Sequence, residues 1–262
     1  MKDVTEMKKS LILFDIDGTL LQSEINEIPQ STIIAISKLK EAGHQLGIAT
    51  GRALFLVDER MKQLPFDTFV TANGQHIMHQ GSVIYENAIP TEVISSLIGE
   101  AESLNMAIGL LSANRSTVTG ADEAVKESFD RVSITIPEII PNLHHEEPIL
   151  QAWFFSEDFG HLPEKYKDHL RFVPWLNFGA DIVPVNGSKA EGIKALINHL
   201  PEKPEQVIAF GDGFNDIEML ELADIGIAMG NAADKVKAHA DFVTKSIDED
   251  GIYYACEQLK LF

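Results

Sequence analysis

Residues 11–19, Leu-Ile-Leu-Phe-Asp-Ile-Asp-Gly-Thr, decide how the rest of the chain is interpreted. Four apolar residues that end at a carboxylate are typical of a short strand buried on both faces of a sheet. Asp15 and Asp17 stand two residues apart, so an extended backbone would point both carboxylates to one side, and Gly18 then lets the chain turn. Such a pair can bind a hard cation such as Mg²⁺, attack as a nucleophile or move a proton. The segment predicts a buried strand that delivers two acidic groups to a chemical site.

An EF-hand calcium loop also begins with Asp-x-Asp and is an alternative interpretation of this segment. Such a loop needs Gly at its sixth position and Glu at its twelfth, where this chain has Leu20 and Asn26. The carboxylates of a solvated turn are a second alternative, and the apolar run directed into the pair argues against it. We therefore retain a catalytic or metal-binding pair.

Both ends of the chain alternate predicted strands with predicted helices. In the first third, helices at 31–42 and 53–64 separate apolar segments, and a hairpin is predicted around Gln80-Gly81. Strands separated by helices of about 10 to 15 residues are typical of βαβ units and a parallel sheet. The strands predicted in these two parts are 11–14, 45–49, 68–71, 77–78, 83–85, 207–210, 225–229 and 242–244. The helices predicted in the last third are one capped by Ser188 and those at 215–222, 234–240 and 253–259.

Residues 87–182 do not show the regular alternation of strands and helices found at both ends of the chain, because they mix predicted helices and short strands with loops rich in Pro, His and Glu. We interpret this segment as an α+β domain inserted into the first one. The prediction is an α/β fold with a core domain built from 1–86 and 183–262 and an inserted domain at 87–182. The candidate strands of the insert are 107–111, 116–119 and 150–155.

The composition argues against several classes of partner. Among 262 residues, 21 Lys and Arg face 40 Asp and Glu, a formal net charge of −19. A field of that sign repels nucleic-acid backbones and anionic membranes, so we expect neither as a partner, and an anionic substrate must be held by local cations. The apolar run at 11–14 is too short for a signal peptide or a spanning helix, and the single Cys256 excludes an intramolecular disulfide. We expect a soluble, cytoplasmic protein.

Further polar residues follow predicted strands or open predicted helices. Thr50 and Gly51 follow the strand at 45–49 and precede a predicted helix. A hydroxyl and backbone N–H groups at the start of a helix can bind an anion. An ordinary N-cap threonine would also explain Thr50. Lys189 stands in the first turn of the helix capped by Ser188, where the helix dipole opposes a cation. A bound phosphate would explain this lysine, and so would a surface position.

The last cluster is Gly-Asp-Gly-Phe-Asn-Asp at 211–216. A predicted buried strand delivers Asp212, and Asp216 lies one helical turn away on the same face, so the two acids can bind or orient a metal. A plain glycine-rich turn would need neither Asn215 nor the second Asp. In an open parallel sheet the carboxyl ends of the strands form the crevice that binds ligands, so we expect these clusters to meet there.

Together these segments resemble the four ordered motifs of the haloacid dehalogenase-like (HAD) hydrolase superfamily. The motifs at 15–19 and 211–216 are the specific ones, and Thr50 and Lys189 stand between them in the family's order. Residues 87–182 are similar to the family's type-IIB cap in position and length, which points to the Cof-like phosphatases. The resemblance implies a Rossmann-like parallel-sheet core, an α+β cap domain and Mg²⁺-dependent hydrolysis of phosphomonoesters.

The resemblance also implies a role for each site residue. Asp15 would attack phosphorus in line and form an aspartyl-phosphate, and Asp17 would protonate the leaving oxygen and then deprotonate the attacking water. Mg²⁺ is the implied cofactor. The implied metal ligands are Asp15, the main-chain carbonyl of Asp17, and Asp212, with Asp216 either ligating directly or orienting the other groups. The implied phosphate-binding residues are Ile16 through its backbone, Thr50, Gly51, Lys189 and Asn215.

The expected substrates are small phosphorylated metabolites, with sugar phosphates as the leading class, and the expected assembly is a monomer or a homodimer. A phosphomutase or phosphotransferase with the same intermediate is the main alternative. A non-catalytic protein that responds to Mg²⁺ or phosphate is another, and the intact acidic motifs argue against it. Arg52 is left open between contacting substrate or cap and pairing with nearby acids. We expect residues 144–147, His-His-Glu-Glu, to form a solvated loop of the inserted domain and not a metal site, and we expect Cys256 to pack within a helix.

Overall fold

The structure, a computed structural model, describes residues 9–22, 25–131, 135–156, 158–175 and 178–262. Its strands form two sheets, which confirms the α/β fold with an additional α+β unit. The strands in the described residues are β1 (Ser10–Phe14), β2 (Gln45–Ala49), β3 (Thr68–Thr71), β4 (His76–His79), β5 (Ser82–Glu86), β6 (Ile108–Leu111), β7 (Ser116–Val118), β8 (Gln151–Phe154), β9 (Leu170–Pro174), β10 (Ala180–Pro184), β11 (Gln206–Gly211), β12 (Ile225–Ala228) and β13 (Phe242–Val243). The α-helices there are α1 (Gln30–Glu41), α2 (Glu59–Lys62), α3 (Thr91–Ser103), α4 (Glu123–Arg131), α5 (Leu162–Tyr166), α6 (Lys189–His199), α7 (Ile217–Leu222), α8 (Asp234–Lys237) and α9 (Gly251–Gln258).

The larger sheet, called the core sheet, has the order β13-β12-β11-β1-β2-β3-β4-β5. β1 lies at its centre and pairs in parallel with β11 on one side and β2 on the other. All five residues of β1 are buried, as the continuous apolar run predicts. Ile12 and Phe14 pack with α1 and α9 on one face, and Leu11 and Leu13 pack with α6 and α7 on the other. Helices on both faces leave the carboxyl end of β1 as the place where polar groups can gather.

The smaller sheet, called the cap sheet, has the order β7-β6-β8-β10-β9, and its pairings are antiparallel. Leu110, Phe154 and Ile182 lie on one face of this sheet and pack with α3 and α5. Because side chains alternate along a strand, Gln151 and Asp181 lie on the opposite face, which meets the loops of the core sheet. The cap sheet therefore has an apolar face toward its own helices and a partly polar face toward the core sheet.

The chain enters the cap sheet after β5 and returns to the core sheet after β10. This connectivity supports the division into 1–86 with 183–262 and 87–182, which stays a proposal in its boundaries, since β10 continues past residue 182. None of the helices within the described ranges has the length and apolar composition that crossing a bilayer requires.

The single helix predicted at 53–64 is wrong. The structure has a short 3-10 turn at Leu54–Leu56, and α2 begins only at Glu59. Asp58 separates the two, because its backbone is not helical and its side chain accepts a hydrogen bond of 2.8 Å from the backbone N–H of Arg60. An aspartate side chain can accept a hydrogen bond from a nearby backbone N–H and so favours the start of a helix over its interior. The spacing of apolar residues, on which the prediction rested, does not show this effect.

Candidate active site

Asp15 and Asp17 leave the carboxyl end of β1 in different surroundings. The backbone N–H of Asp15 donates to the carbonyl of Phe210, 2.9 Å away, and the residue is buried, whereas Asp17 is exposed. Gly18 has a φ of +85°, and a Cβ at this position would lie 2.2 Å from Oδ2 of Asp212. Only glycine fits this close approach, so the Asp-x-Asp-Gly turn places the carboxylate of Asp212 directly against the segment that follows Asp15.

Lys189 joins two buried carboxylates. Its Nζ lies 2.6 Å from Oδ1 of Asp15 and 2.6 Å from Oδ1 of Asp216, and the lysine is only 1% exposed. α6 begins here because the hydroxyl of Ser188 accepts a hydrogen bond from the backbone N–H of Glu191. The two carboxylates compensate the cation that the helix dipole disfavours, and the burial excludes a surface position for this lysine.

Asp15, Asp212 and Asp216 each offer a carboxylate oxygen, and these oxygens lie within 4.8 Å of one another. Oδ2 of Asp216 accepts hydrogen bonds from the backbone N–H groups of Asp212 and Gly213, at 2.9 and 2.8 Å, while its Oδ1 accepts from the lysine. Oδ1 of Asp212 accepts from the hydroxyl of Thr19 at 2.8 Å. Three acids from two distant segments thus converge at the carboxyl edge of the core sheet.

The cluster carries more negative charge than its lysine compensates. Burial raises the pKa of Asp15 well above its ordinary value, Lys189 opposes this effect, and repulsion from Asp216 and Asp212 adds to it. Burial and repulsion from Asp216 likewise raise the pKa of Asp212 to about 7. Burial alone would lower the pKa of Lys189, but attraction to Asp15 and Asp216 holds it above its usual value. An all-oxygen donor set with uncompensated charge fits a hard divalent cation such as Mg²⁺.

The predicted phosphate-binding residues come from the segments that surround this cluster. Thr50 is buried at the end of β2, and Ile16 is fully buried in the turn after β1. A Cβ at Gly51 would lie 3.3 Å from the side-chain amide of Asn73, so Gly51 allows that amide to come close. Asn215 donates a hydrogen bond of 3.0 Å from Nδ2 to Oδ1 of the same Asn73. The structure therefore brings Thr50, Gly51 and Asn215 to one edge, with Asn73 between the last two.

Arg52 forms a two-point ion pair with Asp17. Its Nε lies 2.8 Å from Oδ2 and its Nη2 lies 2.5 Å from Oδ1 of that carboxylate. The arginine is anchored at its backbone, where its N–H donates to the hydroxyl of Thr50. The sequence left open whether Arg52 contacts the substrate or the cap, or pairs with a nearby acid. In the structure it pairs with an acid, Asp17. Both side chains are partly exposed, so breaking this ion pair costs little free energy.

Asn231 supports the acidic cluster and was missed by sequence reasoning. Its Nδ2 donates to the carbonyl of Gly18 at 2.9 Å and lies 3.4 Å from Oδ2 of Asp212, while its Oδ1 accepts from the backbone N–H of Ile247 at 3.0 Å. This asparagine comes two residues after the strand predicted at 225–229, so its place near the end of a strand is the signal that could have identified it.

A second missed group links the two sheets. Nδ2 of Asn73 lies 3.0 Å from Oε1 of Gln151 and 2.9 Å from Oδ2 of Asp181, and Nε2 of Gln151 donates to Oδ1 of Asp181 at 2.8 Å. Burial raises the pKa of Asp181 to about 6, against hydrogen bonds from Asn73 and Trp175 that lower it. Asn73 follows the predicted strand 68–71, whereas Gln151 and Asp181 lie within strands of the cap sheet, where no strand-end signal marks them.

Two predictions about residues outside the site compare differently with the structure. Cys256 is fully buried, and burial raises the pKa of its thiol to about 12, which fits a packing role. The solvated loop expected at residues 144–147 is wrong for His144, which is buried in a 3-10 turn at Leu143–His145, whereas His145 and Glu146 are exposed as expected. Leu143 of this turn packs into the core of the cap sheet. The ring of His144 lies 4.0 Å from that of His145.

Residues 12–256 match the family model described as haloacid dehalogenase-like hydrolase. The chain belongs to this family. The HAD-like chain is 37% identical over 261 residues to YkrA of Bacillus subtilis (strain 168), whose name proposes a phosphatase, and the match covers 97% of this chain and 99% of that protein. The order of the motifs and the buried acidic cluster agree with this membership.

Two further relatives are named phosphatases. YitU of Bacillus subtilis (strain 168), a 5-amino-6-(5-phospho-D-ribitylamino)uracil phosphatase, is 30% identical over 262 residues, covering 94% of this chain and 96% of that protein. The solved structure of the HAD subclass IIB sugar phosphatase BT4131 matches with a TM-score of 0.86 and 32% identity, over 97% of this chain and 100% of that one. The comparisons confirm the resemblance to Cof-like HAD hydrolases, and the chain is a HAD-like phosphatase.

Proposed function

We propose that this HAD-like phosphatase hydrolyses small phosphorylated metabolites, with sugar phosphates as the leading class, through an aspartyl-phosphate on Asp15 and with Mg²⁺ as its cofactor. The observation that supports this most is the buried contact of Asp15 with Lys189, beside Asp212 and Asp216. Phosphoryl transfer requires an aligned nucleophile and neutralisation of charge on the phosphoryl oxygens, and this cluster holds groups for both tasks.

Asp15 is the proposed nucleophile, because it is buried, and its contact with Lys189 fixes the orientation of the carboxylate. In-line attack forms a bond between Asp15 and phosphorus while the bond from phosphorus to the leaving oxygen breaks. Asp17 donates a proton to that oxygen and later removes one from the water that attacks the aspartyl-phosphate. The second step releases inorganic phosphate and restores the carboxylate of Asp15. Arg52 must loosen its hold on Asp17 for these proton transfers.

Asp15, Asp212 and the main-chain carbonyl of Asp17 are the proposed Mg²⁺ ligands. When bound, Mg²⁺ would neutralise charge on the phosphoryl oxygens. Asp216 is assigned an orienting role, because its two oxygens are engaged by Lys189 and by the backbone N–H groups of residues 212 and 213. That turn carries Asp212, so Asp216 fixes the position of a proposed ligand.

Thr50, Gly51, Lys189, Asn215 and the backbone of Ile16 are the proposed contacts for the phosphoryl oxygens. Lys189 is the group with full positive charge among them, and a cation beside the transferring phosphoryl group stabilises the charge that develops there. The overall charge of −19 repels an anionic substrate, so binding relies on these local groups.

The substrate class is inferred from the cap sheet and from the relatives. Gln151 and Asp181 make the face of the cap sheet that meets the core sheet partly polar, and a polar face suits hydroxylated leaving groups better than apolar ones, although both side chains are themselves hydrogen-bonded to Asn73 and to each other. YitU and BT4131 are named for a phosphorylated ribityl compound and for sugar phosphates. The cytoplasmic location and the monomeric or homodimeric state stay predictions.

Replacement of the nucleophile tests the proposal. Asp15→Asn keeps the shape of the side chain and removes its charge, so we expect hydrolysis of 4-nitrophenyl phosphate to fall to background with Mg²⁺ present. Asp248→Asn makes the same change at an exposed position and serves as the matched control. Near-normal turnover by Asp15→Asn would overturn the assignment.

A panel of phosphorylated metabolites, ranked by kcat/KM, tests the substrate class, because discrimination is expressed in that ratio. We expect sugar and sugar-alcohol phosphates to rank highest and to release inorganic phosphate. Formation of an isomeric phosphate without release of phosphate would instead indicate a phosphomutase.

A further inference from the structure

The turn between β3 and β4 has a strained backbone. Ala72, Asn73 and Gly74 all have positive φ, at 49°, 52° and 89°. Two of these three are not glycine, and such residues persist in this conformation only when the surrounding structure holds them there. A Cβ at Gly74 would lie 2.1 Å from the carbonyl oxygen of Ser188, so the turn packs against the residue that caps α6 and precedes Lys189.

The same turn contacts both segments that connect the core sheet to the cap sheet. On the outgoing segment, Asn87 donates from its backbone and from Nδ2 to the carbonyl and Oε1 of Gln75, both at 2.8 Å. On the returning segment, a Cβ at Gly187 would lie 2.5 Å from Nε2 of Gln75. That Nε2 also donates to the carbonyl of Asn73 at 2.7 Å. A movement of either connection would therefore reach Asn73 through Gln75.

Both ends of the side-chain amide of Asn73 are hydrogen-bonded, one to the cap sheet and the other to the turn that follows β11. Nδ2 donates to Gln151 and Asp181 of the cap sheet, and Oδ1 accepts from Asn215 of the core domain. Only 2% of Asn73 is exposed, so water does not replace these partners. If the cap sheet moved away, Nδ2 would lose both acceptors, and the orientation that presents Oδ1 to Asn215 would no longer be fixed.

We propose that Asn73 is a positioning residue that makes the orientation of Asn215 depend on closure of the cap sheet. The inference rests on the proposed function, in which Asn215 binds a phosphoryl oxygen. With the cap sheet closed, Gln151 and Asp181 hold the amide of Asn73, which holds that of Asn215. With the cap sheet open, the phosphate site lacks one oriented donor. The site is therefore complete only when the cap sheet has closed over a substrate, a form of gating that links chemistry to closure.

Double-mutant cycles on the full chain with Mg²⁺ test this coupling, with two measurements: kcat/KM for 4-nitrophenyl phosphate, and the Kd of inorganic phosphate by calorimetry. Asn73→Gly removes the amide and keeps a residue that tolerates positive φ. We expect it to lower kcat/KM about tenfold and to weaken phosphate binding, with no further loss when combined with Asn215→Ala. Asn105→Gly is the matched control, an exposed asparagine with a φ of 56°, and should leave both measurements unchanged.

A second cycle joins Asp181→Ala with Asn215→Ala. These residues do not hydrogen-bond to each other, and Asn73 lies between them. We expect their effects on phosphate binding to be non-additive in the natural sequence and to become independent in the Asn73→Gly background. This pair also carries the test if Asn73→Gly does not fold, since independent effects in the natural sequence would then overturn the inference.

The outcomes separate the two proposals. An Asn73→Gly variant that matches the control, or effects of Asn73→Gly and Asn215→Ala that multiply, would overturn the positioning role alone. An Asn215→Ala variant that keeps normal kcat/KM and phosphate affinity would instead overturn the proposed role of Asn215 in binding phosphate.

Discussion

Lys189 shows at the scale of one residue why the site could be found from the sequence. A lysine in the first turn of a helix is opposed by the helix dipole, so its position calls for a compensating charge. The structure provides two, since Nζ contacts both Asp15 and Asp216 in a buried setting. The sequence could indicate that a partner exists, but only the fold shows that the partners are two carboxylates from distant parts of the chain, which follow the adjacent strands β1 and β11.

Lys189→Met should destabilise the fold as well as remove activity. The substitution leaves the buried carboxylates of Asp15 and Asp216 without their cation, a change that typically costs about 3 to 5 kcal/mol. Lys194→Met on the same helix removes an exposed pair with Glu191 and should cost less than about 1 kcal/mol. Urea unfolding of both variants measures the difference, and equal losses would contradict the role assigned to Lys189.

Asp181 should make stability depend on pH. Its pKa in the folded protein, about 6, lies above the ordinary value, so the charged form is disfavoured by folding. At a pH well below about 4 the group is protonated in both states and costs nothing. Between about pH 4 and 6 the unfolded chain loses this proton while the folded protein retains it, so the folded state loses stability, by no more than about 3 kcal/mol, and above pH 6 the loss stays constant. Asp181→Asn lacks this titration.

The free energy of unfolding of the natural protein and of Asp181→Asn, measured between pH 4.5 and about 8, provides the check on Asp181. We expect the natural protein to lose stability relative to the variant as the pH rises toward 6, and the difference to level off above pH 6. A difference that stays constant across this range, or that changes in the opposite direction, would contradict the assignment.

At the scale of elements, the strands at the centre of the core sheet were predictable and those of the cap sheet were only partly so. β1, β2 and β11 are short apolar runs that end at polar residues, and burial on both faces explains that pattern. β9 and β10 were not predicted, because their sequences mix charged residues and proline with apolar ones. Pairing with β8 and with each other, rather than intrinsic preference, sets these two strands.

The site residues on the core sheet could be predicted from the sequence, whereas those on the cap sheet could not. Asp15, Asp212 and Asn215 follow strands of the core sheet, so their meeting at its carboxyl edge follows from the parallel arrangement. The partners of Asn73 lie on the cap sheet, and their position depends on the pairing of strands that are distant in sequence. No local pattern encodes that register, so Gln151 and Asp181 could be identified only from the structure.

Gly192→Ala should separate α6 from the turn after β3. A Cβ at Gly192 would lie 2.6 Å from Cα of Gly74, a backbone atom that cannot rotate away, so the helix that carries Lys189 must shift. We expect a loss of about 1 to 3 kcal/mol in stability and a fall in kcat. Gly99→Ala in α3 has open space around the new methyl group and should instead stabilise the protein by about 0.5 to 1 kcal/mol.

Thermal unfolding and kinetics of these two glycine variants provide the check. Both substitutions remove the same backbone freedom from a helix, so a difference between them reports the contact with Gly74. A Gly192→Ala variant that is as stable and as active as Gly99→Ala would show that α6 and the turn do not need this close approach.

At the scale of the whole molecule, the site joins segments from both ends of the chain beneath an inserted sheet. β1 and β11 bring Asp15 and Asp212 together, and α6 adds Lys189 from the return segment. The cap sheet is held over the core domain by the Asn73 contacts and by an ion pair between Arg171 and Glu218. The acidic cluster concentrates three carboxylates in a chain whose formal net charge is −19, and a divalent cation would neutralise part of the charge of this cluster.

Mg²⁺ should therefore stabilise the folded protein against heat. A ligand that binds only the folded state contributes about 2.7 kcal/mol at a hundredfold excess over its Kd, which corresponds to a rise of several degrees in Tm. Asp212→Asn should largely abolish the rise, because it removes a proposed ligand, while Asp248→Asn should retain it. Scanning calorimetry with Mg²⁺ and with EDTA measures the shift, and an identical rise in Asp212→Asn would contradict the proposed metal site.

The central claim, that Asp15 accepts the phosphoryl group, is tested most directly by trapping the intermediate in Asp17→Asn with 4-nitrophenyl phosphate. 4-Nitrophenolate leaves without protonation, so attack by Asp15 proceeds while hydrolysis of the aspartyl-phosphate is slowed. We predict a burst of about one equivalent of 4-nitrophenolate and, after acid quench, one phosphoryl group on the peptide that contains Asp15. Steady turnover without a burst, and with that peptide unmodified, would contradict the account.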